Sequence, residues 1–409
     1  LLVPAGAFIA AAYAPDTGAV LKQALITLSF GIVYALARIF WQSVADIRQS
    51  IPFILGSGFV VSAYALWQNL RFLAGMESYE VMAGRPNATF PEADWLGLFT
   101  VVMVSILFAL MYRLLSPEKR NSLMEYAENP KIWLVSAGLM TAFVVLIITV
   151  ARSAWLGAVA ASFVFIALVW RMSGWRKAAG ISSIIGTSAA VALLAVFLFS
   201  LTPFDLSNRA GSTASGLQEI TIACEQDSTL PVLPAKIRDT SELEAFRCRH
   251  IMLEEIASEE AAGRFVSTIS RDDPNISIRK DIYAKVRDTI AEHPIAGIGW
   301  GSIASILGTD ERGAGLNASN AFLEVWLGSG LIGFIAFSVF WFGIAIAALA
   351  RMLSDGSTAI RETSLFILSA WAGITIFDLF NSGILLGFMF LYLALGALVL
   401  QQKKQEVCH

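Results

Sequence analysis

Charge and histidine are scarce in this chain. Only 15% of its 409 residues are charged, whereas 56% are hydrophobic. An ordinary soluble domain carries about a quarter charged residues, so a water-soluble globular fold is excluded. The mean hydropathy of +0.66 says the same. Three histidines and three cysteines are too few and too scattered for a Cys/His metal site, and no metal-ligand spacing is present. Phosphate-cradling nucleotide loops and dinucleotide fingerprints are also missing. No internal repeat is visible, and the net charge of −3 identifies no partner.

Apolar runs of about 20 residues fill the space that charge leaves. Each is long enough to cross a hydrocarbon core of about 30 Å as a helix. Ten spans are expected: Leu1–Ala12 (partial), Val20–Phe40, Ile51–Leu73, Trp95–Leu115, Ile132–Val150, Ala154–Trp170, Ile181–Leu201, Ala321–Ala350, Ser364–Phe380 and Ile384–Leu400. The chain opens on Leu1 inside an apolar run, so further spans are expected before it. Basic residues gather in alternate loops: Arg48; Lys119, Arg120 and Lys131; Arg171, Arg176 and Lys177; Arg351 and Arg361; Lys403 and Lys404. By the positive-inside rule that side is cytoplasmic. The loops 13–19, 74–94 and 381–383, the Val150–Ser153 turn and a long block from Thr202 to Asn320 then face outward.

That block holds 12 of the 29 Lys and Arg and two of the three Cys, which sets it apart from the apolar remainder. The chain therefore divides into seven spans (1–201), an outward loop domain (202–320), and three spans with a short tail (321–409). The fold class is an all-α polytopic membrane protein with one large helical loop domain. Within the block, Leu243, Phe246, His250, Ile251 and Leu253 predict a helix over Ser241–Ser258. Ile278, Ile282, Val286 and Ile290 repeat every four residues and predict a second over Ser277–Glu292, stopped by Pro294. Asn208–Gly216 and Asp310–Gly315 read as mobile loops. Cys224 and Cys248 lie together on the oxidising side, apart from Cys408, and are expected to pair. Closing that loop adds about 3 kcal/mol.

Arg152 is the sharpest single residue. It lies between two apolar spans, in Thr149-Val-Ala-Arg-Ser-Ala-Trp155, with almost no loop around it. An arginine there is costly unless it faces a polar cavity, snorkels to the interface or holds an anion. Arg85 in Gly84–Trp95 and Arg279 on the second helix are outward arginines too, and either a solvated surface or a shared site would accommodate them. Together the three would make a cationic pocket whose guanidinium forks match phosphate oxygens. Tyr283 and Arg287 follow Arg279 at helical spacing, with Arg287 reading as solvated. His293 precedes Pro294 and a glycine-rich turn, as either a helix-end residue or a base. Ser319 and Asn320 precede a span, as either its polar cap or part of a site. Glu324 lies one turn into that span, where an acid should face a cavity or the interface.

Four of these segments resemble, in order, the motifs of the O-antigen ligase and Wzy-type polymerase superfamily of bacterial envelope glycan assembly. They are Arg85–Trp95 with its Ala88-Thr89-Phe90 turn, Thr149–Trp155, Arg279 through the His293-Pro-Ile-Ala-Gly-Ile-Gly299 turn, and Ser319–Gly333. The resemblance covers roughly residues 80–340. It implies a helical fold of the GT-C-like kind in the bacterial inner membrane, with the large loop periplasmic. It also implies an undecaprenyl-pyrophosphate-linked glycan donor, an acceptor glycan or lipid, inverting transfer, and no metal or other cofactor. By the same resemblance Arg152 and Arg279 hold the pyrophosphate, with Arg85 beside them. Two positions depart from the family pattern. Ser319 stands where the family has a base-like histidine, leaving His293, Glu324 or positioning alone to activate the acceptor. Ala88 stands where the family has glycine. A polymerase and a ligase are not separated by these motifs. A transporter or flippase is the alternative, and would call for broken or charged spans near mid-membrane.

Overall fold

In the computed structural model the described residues are 2–115, 129–207, 216–225, 233–272, 274–309, 313–354 and 358–401. The predicted loop 208–216 falls almost wholly outside them and 310–315 by half, while Lys119, Arg120, Lys403, Lys404 and Cys408 also lie outside. The first seven helices are α1 (Leu2–Tyr13), α2 (Thr17–Phe40), α3 (Val44–Leu73), α4 (Ala93–Leu114), α5 (Pro130–Ile148), α6 (Arg152–Ser173) and α7 (Trp175–Leu198). After the polar block come α11 (Ala321–Ser354), α12 (Thr358–Asp378) and α13 (Gly387–Gln401). Eight of these ten are long and apolar enough to cross a membrane; α1 and α13 are shorter apolar helices. The protein is a mostly helical, multi-pass membrane protein, as its composition requires.

Local chemistry sets the helix starts. Asp16 caps α2 by accepting from the Ala19 amide, and Ser43 and Asp46 form a reciprocal capping box at the start of α3. Packing in the bundle centres on α12, which lies against α4, α6 and α11. Its crossing with α6 is close because both sides are glycine. A Cβ on Gly157 would sit 2.7 Å from the Gly373 carbonyl oxygen, the small-residue contact by which apolar helices approach in lipid.

The polar block differs from the expectation of an all-helical loop. It carries a four-stranded sheet of β1 (Leu217–Cys224), β2 (Lys236–Ile237), β3 (Cys248–His250) and β4 (Phe265–Asp272), in the order β2-β4-β1-β3. β1 and β4 pair antiparallel along eight residues each, from Leu217 opposite Asp272 to Cys224 opposite Phe265. Ile220, Ile222, Ile237, Leu243 and Ile269 form a small core under the sheet, separate from the helical bundle. The helix predicted over Ser241–Ser258 is not there. Thr240–Phe246 is a 3-10 turn ended by Arg247 in the left-handed region, β3 follows, and only α8 (Ile256–Ala261) is α-helical. The apolar residues that suggested one helix face are shared between turn and strand, because Cys248 pairs with Cys224 across β1 and β3. Those two cysteines are disulfide-bonded.

The second predicted helix is present as α9 (Pro274–Glu292), beginning three residues earlier than expected. Ile282 and Val286 are buried by it, whereas Ile278 is exposed. A short α10 (Trp300–Leu307) follows and packs on α2.

Candidate functional site

Helices α6, α9, α11 and α12 are tied together at one end of the bundle by the turn Leu379–Gly383 after α12, part of which the sequence marked only as a short loop. Asn381 Nδ2 donates to Ser153 Oγ at 2.6 Å, beside Arg152. Arg279 Nη2 donates to the Phe380 carbonyl at 3.2 Å, with its guanidinium 5.5 Å from the Phe380 ring centroid. Asn320 Nδ2 reaches the Leu379 carbonyl at 3.5 Å. Ser382 Oγ donates to Asn317 Oδ1 at 3.3 Å and to Glu324 Oε2 at 3.4 Å. Three of the four motif segments therefore meet on five consecutive residues.

The fourth joins them through the turn before Arg152. Arg85 Nε donates to the buried Thr149 carbonyl at 2.9 Å, and Arg85 Nη2 pairs with Asp94 at 3.3 Å. Trp155 Nε1 donates to the Leu146 carbonyl at 2.9 Å, closing the same turn from the other side. Val150 takes φ +54° within it, an uncommon conformation for a β-branched residue. The result fixes where α6 begins and places Arg152, half-buried, in its first turn, where the helix dipole adds to its positive charge.

Ser319 also has a left-handed backbone, φ +51°. Its amide donates to Asn317 Oδ1 at 2.8 Å, and its carbonyl accepts from Tyr283 Oη at 3.4 Å. Asn320 caps α11, its Oδ1 accepting from the Phe322 and Leu323 amides at 3.0 and 3.2 Å. Glu324 is buried, and its Oε2 accepts from the Ala318 amide at 2.7 Å. The strained Ser319 backbone is thus held by a side chain on each flank and by Tyr283 from α9. Tyr283 lies one turn beyond Arg279, which explains why the two repeat at helical spacing.

His293 and Arg287 are placed elsewhere. His293 follows the end of α9, 14 residues after Arg279, which is about 21 Å along a helix axis. Its side chain is exposed. The turn it begins packs into a break in α11. Gly330 there is non-helical, with φ +64°, and the freed backbone groups are filled by the turn. Leu327 O accepts from the Ile298 amide at 2.8 Å, and the Leu331 amide donates to Ile295 O at 3.0 Å. A Cβ on Gly330 would meet Ile295 O at 2.1 Å, and one on Gly297 would meet Leu327 O at 2.5 Å. The two glycine-rich stretches of the sequence are therefore the two sides of one contact. Arg287 is 76% exposed and pairs with its neighbour Asp288 at 2.9 Å.

Ala88, the residue in place of a glycine, keeps the glycine-like backbone, φ +49°. Its amide donates to Gln68 Oε1 at 2.7 Å, and Asn87 Oδ1 accepts from the Val81 amide at 3.1 Å. These bonds hold the 80–90 loop against α3 despite the strain.

The protein is thus a multi-pass helical membrane protein whose turns gather arginines and polar amides at one end of the helical bundle. Residues 137–338 match the O-antigen ligase family, Wzy_C. That span runs from α5 into α11 and includes Arg152, Arg279, His293, Ser319, Asn320 and Glu324 but not Arg85. Over those residues the chain resembles the O-antigen ligase family. No curated protein matches the chain.

Proposed function

We propose that the protein transfers a glycan from an undecaprenyl-pyrophosphate carrier to an acceptor hydroxyl at the periplasmic face of the inner membrane. The observation that carries this reading is the convergence on Leu379–Gly383 of Ser153 beside Arg152, Arg279, and the Asn317–Glu324 cap. Arg152 and Arg279 are the cations assigned to the pyrophosphate. Guanidinium donors there stabilise the charge that grows on the departing phosphate oxygen.

The acceptor oxygen attacks the anomeric carbon as the bond from that carbon to the phosphate oxygen breaks, with inversion at the carbon, and the acceptor's hydroxyl proton is released to water. Ser319 is a poor base, so its role is to orient the hydroxyl with Asn320, and the gain comes from holding the two sugars in line. Glu324, Tyr283 and Asn317 are assigned to holding Ser319 in its left-handed conformation. Arg85 acts through the Thr149–Arg152 turn, because its Nε and Nη2 are bonded within the protein. His293 is assigned to the packing of the α11 break. A transporter would also carry a broken span, but the break at Gly330 is filled by backbone from 295–298, which favours a fixed site.

Arg152→Ala tests the proposal in cells that depend on this chain for surface glycan. The variant should reach the membrane at normal levels and lose glycan transfer. Accumulated lipid-linked polymer then marks a ligase, and accumulated single repeat units mark a polymerase. Normal surface glycan with Arg152→Ala would sink the proposal.

A further inference from the structure

At the opposite ends of the helices from the turn Leu379–Gly383, α3 stands off from the bundle. It exposes Phe53 and Phe59. Between α3 and the helices α4, α12 and α13 lies a cavity of about 790 Å³, apolar over most of its wall, with Phe99, Met103 and Tyr392 on the bundle side. A neighbouring cavity of about 70 Å³ shares Ile54, Ile106 and Phe366 with it and is bordered by Arg48, Arg113 and Glu362. The apolar space therefore ends at a charged mouth.

Among the described residues, the charges at that mouth do not balance. Arg48 Nη2 pairs with Glu362 Oε2 at 2.9 Å, whereas Arg113 Nε reaches the same oxygen only at 4.0 Å. Glu362 is 11% exposed and Arg113 48% exposed, so the carboxylate is enclosed and the second guanidinium faces outward. Lys177 adds a third cation nearby, its ammonium 3.7 Å from the ring centroid of Tyr112. Asp46 borders the larger cavity, but its carboxylate accepts from the Gln42 and Ser43 amides at the start of α3. Among the described residues, one enclosed carboxylate thus faces two guanidiniums and interacts electrostatically with the Lys177 ammonium, at the end of the bundle where the loop arginines gather.

An apolar slot with a cationic mouth fits an amphiphilic anion. The α3 lining runs from Asp46 to Ser57, about 16 Å at the helical rise, close to one leaflet's half of a hydrocarbon core of about 30 Å. Arg113 is 19 residues from Asp94 on α4, about 28 Å along the helix, so a headgroup held there is separate from the motif end of the molecule. We propose that this slot holds one anionic bilayer phospholipid, its phosphate between Arg48 and Arg113 and an acyl chain in the cavity behind α3. Such a lipid fills the space that α3 leaves and fastens that helix to the bundle.

Native mass spectrometry of the full chain, stripped of lipid and then incubated with equal phosphatidylglycerol and phosphatidylcholine, tests this. The expected result is retention of one phosphatidylglycerol over phosphatidylcholine by about tenfold, a preference removed by Arg113→Gln. Arg113 is the safer substitution because Arg48 remains to pair with Glu362. Ser57→Trp, which fills the slot and leaves every charge in place, should lower retention of both lipids. Equal retention of the two lipids by the unaltered chain would overturn the proposal. So would unchanged phosphatidylglycerol retention in folded Arg113→Gln together with Ser57→Trp. Recovery of a polyprenyl carrier instead of a phospholipid from the chain as purified, lost on Ser57→Trp but not on Arg113→Gln, would also overturn it.

Discussion

Replacing Arg85 separates a strut from a substrate ligand. Its Nε donates to the Thr149 carbonyl, whose residue is fully buried, and its Nη2 faces Asp94 across 3.3 Å. A hydrogen bond to a charged group contributes about 1.5–3 kcal/mol. The partly exposed ion pair adds about 1 kcal/mol at most. Arg85→Met should therefore destabilise the protein by about 2–4 kcal/mol, because the carbonyl is left without a partner. Asp94→Asn should cost about 1 kcal/mol or less, since it removes only the ion pair. Multi-span proteins commonly unfold irreversibly, so the appropriate assay is the half-life of detergent-purified protein at a fixed temperature. Arg85→Met should shorten that half-life by about tenfold or more, while Asp94→Asn stays within a few-fold. Glycan transfer by Arg85→Met at low temperature should fall in proportion to the loss of the Thr149–Arg152 turn. A variant as long-lived as the unaltered protein refutes the strut. If that variant also lacks transfer, Arg85 binds substrate directly.

Four further outcomes are expected. Cys224→Ser with Cys248→Ser should loosen the sheet by about 3 kcal/mol from loop entropy, read as faster proteolysis within residues 217–272 and mimicked by reductant. Ala88→Gly should be close to neutral, because relief of a left-handed alanine, about 1 kcal/mol, is offset by loss of a buried methyl, about 0.8 kcal/mol; Ala88→Val should shorten the half-life. Gly330→Ala should fail to reach the membrane in folded form, since the added methyl meets Ile295 O at 2.1 Å; normal yield would refute the interlocked turn. Ser319→Ala should reduce transfer by less than tenfold, and Ser319→Asn, which tolerates the left-handed backbone, should retain it; complete loss on Ser319→Ala would make the hydroxyl chemically essential.

Much of the architecture was readable because lipid imposes a simple rule. Every backbone amide inside the membrane must be satisfied within its own helix, so each apolar run of about 20 residues had to be a helix. Some ends hold to within a residue or two, as with Trp95–Leu115 against Ala93–Leu114, whereas the helices starting at Val44, Trp175 and Thr358 begin six or seven residues before the expected spans at Ile51, Ile181 and Ser364. The polar block was less readable because water removes that rule. Ile220, Ile222 and Cys224 alternate as a half-buried strand does, and Val266, Thr268 and Ile269 are β-branched, yet these short signals were outweighed by a helix-like spacing over Leu243–Leu253. The disulfide settled the competition, since joining Cys224 to Cys248 sets β1 beside β3.

The motif residues divide along the same line. Sequence by itself determined that an arginine at 152, wedged between two apolar spans, needed a polar reason to be there, and that glycines 297 and 330 lie in two glycine-containing motif stretches. It could not determine that those two glycines contact each other, or that His293 ends some two-thirds of a helix away from Arg279. Nor did it single out Asn381 and Ser382, whose polar side chains look like any short loop. Those facts depend on which helix ends lie side by side, and that is decided by packing such as Gly157 on Gly373. Burial and helix length are local consequences of hydrophobicity, so one strand of text carries them. The meeting of residues 153, 279, 320 and 380 is a sum of long-range contacts, each worth little alone, and only the folded bundle performs that sum.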